Sequence, residues 1–195
     1  MIKLKERFRE FLPVVVDIET AGVTPHTDAI LEICACPLSI NENGKWQVDE
    51  SLHNHIEPFA GANMCQESID FLGIDPYHPF RFAKSEYDVL TEIYSAINKK
   101  LKQHQCKRAV LVGHNSWFDL LFLKNANKRC KLKSPFHSFT SFDTATLSAL
   151  VYGETVLVKA CHAAKVYFDP KEAHSALYDA RKTAELFCTI INNYE

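Results

Sequence analysis

The run Pro13-Val14-Val15-Val16-Asp17-Ile18-Glu19-Thr20 carries two carboxylates at the end of an apolar stretch. Three β-branched valines favour a pleated, well-buried strand. Successive side chains of an extended chain point to opposite faces, so Asp17 and Glu19, two apart, point the same way. Two like charges side by side repel each other unless a cation or a proton sits between them. A hard divalent ion with oxygen ligands, Mg²⁺ or Mn²⁺, suits that position. The same spacing also fits Ile18 facing a core with both acids in water, so other carboxylates have to decide between the two.

His114-Asn115-Ser116-Trp117-Phe118-Asp119 follows directly on the apolar run from Ala109 to Gly113. A strand there, parallel to the first, would open its carboxyl end onto the same edge, where ligands of open α/β sheets bind. Asp119, one turn into the next helix, would then face Asp17 and Glu19. Its plainer role is to add favourable charge to a first turn that Asn115 or Ser116 caps, and the two roles are compatible. In His174-Ser175-Ala176-Leu177-Tyr178-Asp179 a spacing of five is not a same-face helical pair, so His174 belongs to the loop before the last helix and Asp179 to its first turns. Asp179 supplies a fourth carboxylate. His174, with an unperturbed pKa of about 6.5, suits taking a proton from water at neutral pH.

The elements that must position these groups are legible in outline. Lys3 to Phe11 alternates charge with Leu4, Phe8 and Phe11 on one side and is expected as a short helix ending at Pro13. Ala29 to Ile40 reads as a second strand, interrupted late by Pro37. After the Asn41-Glu42-Asn43-Gly44 turn, Trp46 to Glu57 reads as a third, with His53 and His55 on one face. Short turns between three strands imply an antiparallel meander. Ser68 to Leu72 is a short helix. Glu86 to Lys102, apolar at Val89, Leu90, Ile93, Ile97 and Leu101, is an amphipathic one. Ala109 to Gly113 and Ser138 to Phe142 complete five strands; Ser116 to Ala126, Thr144 to Tyr152, Val156 to Ala164 and Ala176 to Asn192 are helices. The expected fold is α/β, a central five-stranded mixed sheet flanked by helices, in one domain over 1–195.

A length of 195 residues with 47% hydrophobic and 24% charged content fits one globular core. The net charge of −2 announces no nucleic-acid partner by itself. Its distribution is more informative: 99–108 and 124–133 contain cations and no acid, and Lys3, Lys5, Arg7 and Arg9 crowd the N-terminus. Each cluster reads as a solvated face or as part of a local anionic footprint. Seven cysteines without a Cys-x-x-Cys pair argue against a disulfide framework or structural zinc. With no signal-peptide core and no segment long enough to span a bilayer, the sequence predicts a soluble cytoplasmic protein.

Asp17-Ile18-Glu19, His114 to Asp119 and His174 to Asp179 resemble, in order and context, the three motifs of the DEDDh 3′→5′ exonucleases. The resemblance extends over almost the whole chain. It is greatest to the ribonuclease T group of that family through Phe11-Leu12-Pro13-Val14-Val15, Glu57 to Asn63, Gly73-Ile74-Asp75-Pro76, Ser134-Pro135-Phe136-His137 and Ala173 to Asp179. It implies a ribonuclease H-like fold and two Mg²⁺ ions per active site, with Mn²⁺ as a substitute. The catalytic and metal-centre residues it implies are Asp17, Glu19, Asp119, His174 and Asp179. Asp17 would bridge the metals, Glu19 and Asp179 would complete one site, Asp119 would support the other, and His174 would deprotonate the attacking water. A sister subclass carries Tyr four residues before the last Asp, where Ser175 stands, which indicates the His variant.

The resemblance further implies trimming of single-stranded 3′ ends of structured RNAs such as tRNA, with single-stranded DNA as a second substrate. Phe118, Phe139 and Phe71 would stack on the terminal bases and Glu67 would contact one. Core packing is the plainer role for any one of these rings alone. Val23 departs from the pattern, standing where a relative carries Phe, and Trp117 is either a partial substitute or core. A homodimer is implied too, with Arg7, Arg9, Lys102, Arg108 and residues near Lys133 forming a patch that serves the partner's catalytic centre. Rival readings are a DNA-polymerase proofreading exonuclease subunit, an oligoribonuclease, and a catalytically dead nucleic-acid-binding module.

Overall fold

The computed structural model describes residues 4–194, so Lys3 lies outside the described residues. Its sheet holds β1 (Phe11–Thr20), β2 (Ile30–Ile40), β3 (Trp46–Val48), β4 (Leu52–His55), β5 (Arg108–Gly113) and β6 (Phe136–Asp143). The order is β3-β2-β1-β5-β6, with β4 also paired to β2. β1 runs antiparallel to β2 and parallel to β5, and β5 runs parallel to β6, so the sheet is mixed as expected. Val14, Val15 and Val16 are fully enclosed at its centre. Each contributes roughly 1.5–3 kcal/mol of burial, enough to hold a strand whose far end carries like charges.

Three expectations need correction. The strand expected over 46–57 is two strands, which makes six in place of five among the described residues. Val48 pairs with Leu38 and Leu52 with Ala35, so four steps on one side oppose three on β2. The extra residue is a bulge in the 49–51 link, where the Asp49 amide donates to Pro37 O and the Asp49 carboxylate meets Lys100 Nζ at 2.5 Å. β2 itself runs through Pro37 without interruption, in register with Val14. Among the described residues, 4–11 form no α-helix. Leu4–Glu6 and Phe8–Glu10 are 3₁₀ turns, and Phe8, Arg9 and Glu10 have φ of 52°, 57° and 65°. The left-handed turn instead lays Phe8 against Phe142 and Trp46, with ring centroids 4.8 and 5.6 Å apart, and starts β1 at Phe11.

The helices are α1 (Gln66–Leu72), α2 (Glu86–Gln103), α3 (Trp117–Cys130), α4 (Thr144–Tyr152), α5 (Leu157–Ala163) and α6 (Ala176–Asn193). α2 starts at Ser85, whose hydroxyl accepts from the Asp88 amide, and buries the apolar positions its spacing marks. α6 packs across β1, β2 and β3, while α2 packs on β2, β4 and β5. Val15 pairs with Val112, so the carboxyl ends of β1 and β5 open onto one edge.

Candidate active site

Oxygens of Asp17, Glu19 and Asp179 lie within 4.8 Å of one another at that edge. Asp119, only 5% exposed, enters from the first turn of α3 and faces the Ile18 amide. Gly113 permits this approach, because a Cβ there would meet Asp119 Oδ2 and Ser116 Cα at 3.1 Å. Asp179 lies in the first turn of α6. Its Oδ2 accepts the His174 amide at 2.9 Å, and its Oδ1 is buried without a partner among the described residues. His174 sits before the helix with φ of 67° and an exposed ring, edge-on to Phe71 at 4.5 Å between centroids.

The electrostatics of this group are unfavourable without help. Burial, then the charges of Asp119, Glu19, Asp179 and Glu32, push the Asp17 carboxyl well above its usual range. Burial followed by Asp179, Glu32 and Asp119 pushes Glu19 up to about 8. Burial lifts Asp119 to about 8 despite the Ile18 amide, and it raises Asp179 despite the His174 amide. Left to protein groups, Glu19 and Asp119 hold protons at neutral pH. An all-oxygen donor set with an orphaned buried Oδ1 fits a hard divalent cation, which would replace those protons.

The surrounding loops are tied to this edge. Asp143 caps α4 through the Ala145 amide and also accepts the Asn115 amide at 2.9 Å, which fixes the turn before α3. Neither Asn115 nor Ser116 caps α3 with its side chain; the Ser116 hydroxyl is bonded to Ser141 at 2.9 Å. His114 is held at both ring nitrogens, with Nε2–H donating to Thr155 O at 2.7 Å and Nδ1 lying 3.0 Å from the Thr144 hydroxyl. Asp28, almost fully buried, accepts from Thr24, Thr27 and Asn63 and so shapes the loop after β1. A Cβ at Gly22 would meet its Oδ2 at 2.1 Å.

Beside Glu19 a cleft of about 370 Å³ is lined by Val23, Glu67, Phe71 and Phe118. The chain thus brings three of the four expected base-contacting residues together. Phe71 is 68% exposed, Phe118 is half-buried and Val23 is exposed, so the cleft has open apolar surface without a ring at position 23. Phe139, 77% exposed on β6 with its edge to His137, is not in that lining. Trp117 is exposed and is not core. The cations lie elsewhere. Arg108 pairs with Phe11 at the opposite end of β1, Arg7 and Arg9 precede that strand, and Lys102 lines a surface groove with Lys99 and Lys133.

Sequence reasoning missed Asp28, Asp143, Gly113 and Glu32. Glu32 was visible only as the single acid of an apolar strand, and the residues it meets are distant in sequence.

Residues 14–187 match the RNase_T family model, described as an exonuclease. A ribonuclease T from Vibrio campbellii is 57% identical over 196 residues, covering 100% of this chain and 92% of that protein. One from Shewanella oneidensis is 53% identical over 194 residues, covering 99% and 87%. Among solved structures, a 3′-exonuclease described in 3′-end-specific recognition of histone mRNA stem-loop is similar with a TM-score of 0.72 at 18% identity, over 93% of this chain and 64% of that one. Escherichia coli exonuclease I in complex with a dT13 oligonucleotide gives 0.70 at 16%, over 92% of this chain and 41% of that one. The fold is therefore the ribonuclease H-like α/β architecture of these exonucleases.

Proposed function

The chain belongs to the ribonuclease T family of 3′→5′ exonucleases, and on that premise we propose that it trims the single-stranded 3′ ends of structured RNAs, tRNA among them, and also single-stranded DNA. The observation that carries this reading is the unsatisfied carboxylate cluster opening beside an apolar, base-sized cleft. Members of the family depend on divalent metal, and Mg²⁺ fits the oxygen ligands here. Asp17, Glu19, Asp179 and Asp119 would hold two such ions, which supply stabilisation to the attacking and leaving oxygens of an in-line displacement. His174, exposed at the mouth, takes the proton of the attacking water. Phe71 and Phe118 stack on terminal bases and Glu67 reads one edge, each stacked base contributing about 1–3 kcal/mol. Phe139 would join them only from outside the cleft.

The basic residues support action across a homodimer. Phe11 to Glu19 is roughly 26 Å of extended chain, so a patch at Arg7, Arg9, Lys102 and Arg108 lies far from its own carboxylates. A two-fold partner would bring it to a catalytic centre. Mixing Asp17→Asn protein with a protein carrying Ala at those four cations should restore about a quarter of the activity; verified exchange without recovery overturns it. Residues 1–195 would then serve as one exonuclease domain, and the seven free thiols fit a reducing cytoplasm.

End-labelled tRNA with a frayed 3′ end, single-stranded DNA and a two-nucleotide RNA should be digested side by side with Mg²⁺ and with chelator. Stepwise, metal-dependent shortening of the tRNA end is expected. Cleavage of the dinucleotide alone would contradict the assignment.

A further inference from the structure

Glu32 stands directly opposite Glu19 in the β1–β2 ladder, on the face of the sheet that carries the cluster, and is 5% exposed. Its two interactions reach in different directions. His53 of β4 donates Nε2–H to Glu32 Oε1 at 2.5 Å, and the Ala176 backbone amide, at the first residue of α6, faces the same carboxylate. That amide needs an acceptor from elsewhere, because the first four amides of a helix have no partner within it and Ser175, at the N-cap, offers no side-chain bond. A carboxylate is favoured there by the positive end of the helix. Ala176 lies between His174 and Asp179, so a carboxylate facing its amide sits at the helix start that presents both.

We propose that Glu32, clamped between His53 and the first turn of α6, is a positioning residue that sets Asp179 and His174 against Asp17 and Glu19. The inference rests on the reading of Asp17, Glu19 and Asp179 as cation ligands. Groups that orient metal ligands through hydrogen bonds typically change metal affinity or activity by about 10–100-fold when removed. His55 adds a second candidate role for the same residues. It is opposite Glu32 in β4, its Nδ1 is buried without a partner among the described residues, and ligand atoms of Glu32, His53 and His55 lie within 4.8 Å. If these three held a cation of their own, His55 would matter as much as His53. A hydrogen-bonded clamp needs His53 and not His55.

The test compares Glu32→Ala, Glu32→Gln, His53→Gln and His55→Gln by steady-state RNA hydrolysis and by Mn²⁺ titration followed by electron paramagnetic resonance. Glu32→Ala should lose about 10–100-fold in kcat with KM for RNA unchanged, and should weaken Mn²⁺ binding about tenfold. Glu32→Gln, whose amide oxygen still accepts the Ala176 N–H, should recover to within a few-fold of wild type. His53→Gln should show a smaller loss of the same kind, and His55→Gln should be unchanged. If Glu32→Ala does not fold, His53→Gln on the half-exposed edge strand carries the test, and wild-type kcat and Mn²⁺ affinity there overturn the proposal. Glu32→Gln as damaging as Glu32→Ala, or His55→Gln as damaging as His53→Gln, also overturns it. The Mn²⁺ titration reports on the clamp even if no RNA is cut, so the failure of the exonuclease reading is distinguishable from the failure of this one.

Discussion

Glu19 and Glu32 face each other across one antiparallel ladder, yet the fold treats them in opposite ways. Burial presses on both. For Glu19 the charges that add to burial are other carboxylates, and it is pushed up to about 8. Glu32 also feels burial, but the hydrogen bond and charge of His53, His55 and the Ala176 amide outweigh it and hold the carboxyl below its ordinary range. Glu86, also buried, is gripped by Arg129 at 2.7 and 3.1 Å. A buried acid that the chain satisfies itself holds structure together. One left unsatisfied among its own kind marks where a cation from outside completes the molecule.

Substitutions can break that contrast from the Glu19 side. Asp17→Asn removes an acid pressed by burial and by four neighbouring carboxylates and should lower turnover by about 10²–10³-fold, the scale of a lost charge-stabilising group, while weakening Mn²⁺ binding. Near-normal hydrolysis would place Asp17 with Glu32 as a structural acid. His174→Ala should cost about 10²–10⁴-fold in kcat and leave Mn²⁺ affinity unchanged, because its ring is exposed and outside the carboxylate triad. Mn²⁺ affinity falling in step with rate would make His174 a ligand. Phe118→Ala should raise KM for single-stranded ends several-fold through lost stacking, with kcat and Mn²⁺ binding nearly constant. An unchanged KM would return Phe118 to the core it half enters.

The unsatisfied side of the contrast was legible in the sequence, and the satisfied side was not. Asp17 and Glu19 announce themselves through the two-residue period of a strand, and Asp119 and Asp179 through their places in first helical turns. Those are local patterns, as are the apolar positions of α2 and the boundaries of α4. Glu32 depends on His53 and Ala176, 21 and 144 positions away, and no period links them. The bulge at 49–51 depends on how β3 and β4 share one edge of β2. The 3₁₀ turns at 4–10 arise because Phe8 finds Phe142 and Trp46, which overrides a weak helical alternation. Phe139 fell outside the cleft because a resemblance gives residue types without giving the rim they stand on.

Proton release on cation binding tests the account most directly. In the metal-free protein Glu19 and Asp119, each raised to about 8, hold protons at pH 7 and lose them above that value. A cation that takes their place must expel those protons at pH 7 and find few to expel at pH 9.5. Mn²⁺ is titrated calorimetrically into chelator-stripped protein in two buffers of different ionisation enthalpy at each pH. The account predicts that Glu19 and Asp119 together release between one and two protons per chain at pH 7 and that fewer are released at pH 9.5. Mn²⁺ binding without proton release at pH 7, or release at pH 9.5 as large as at pH 7, would contradict it.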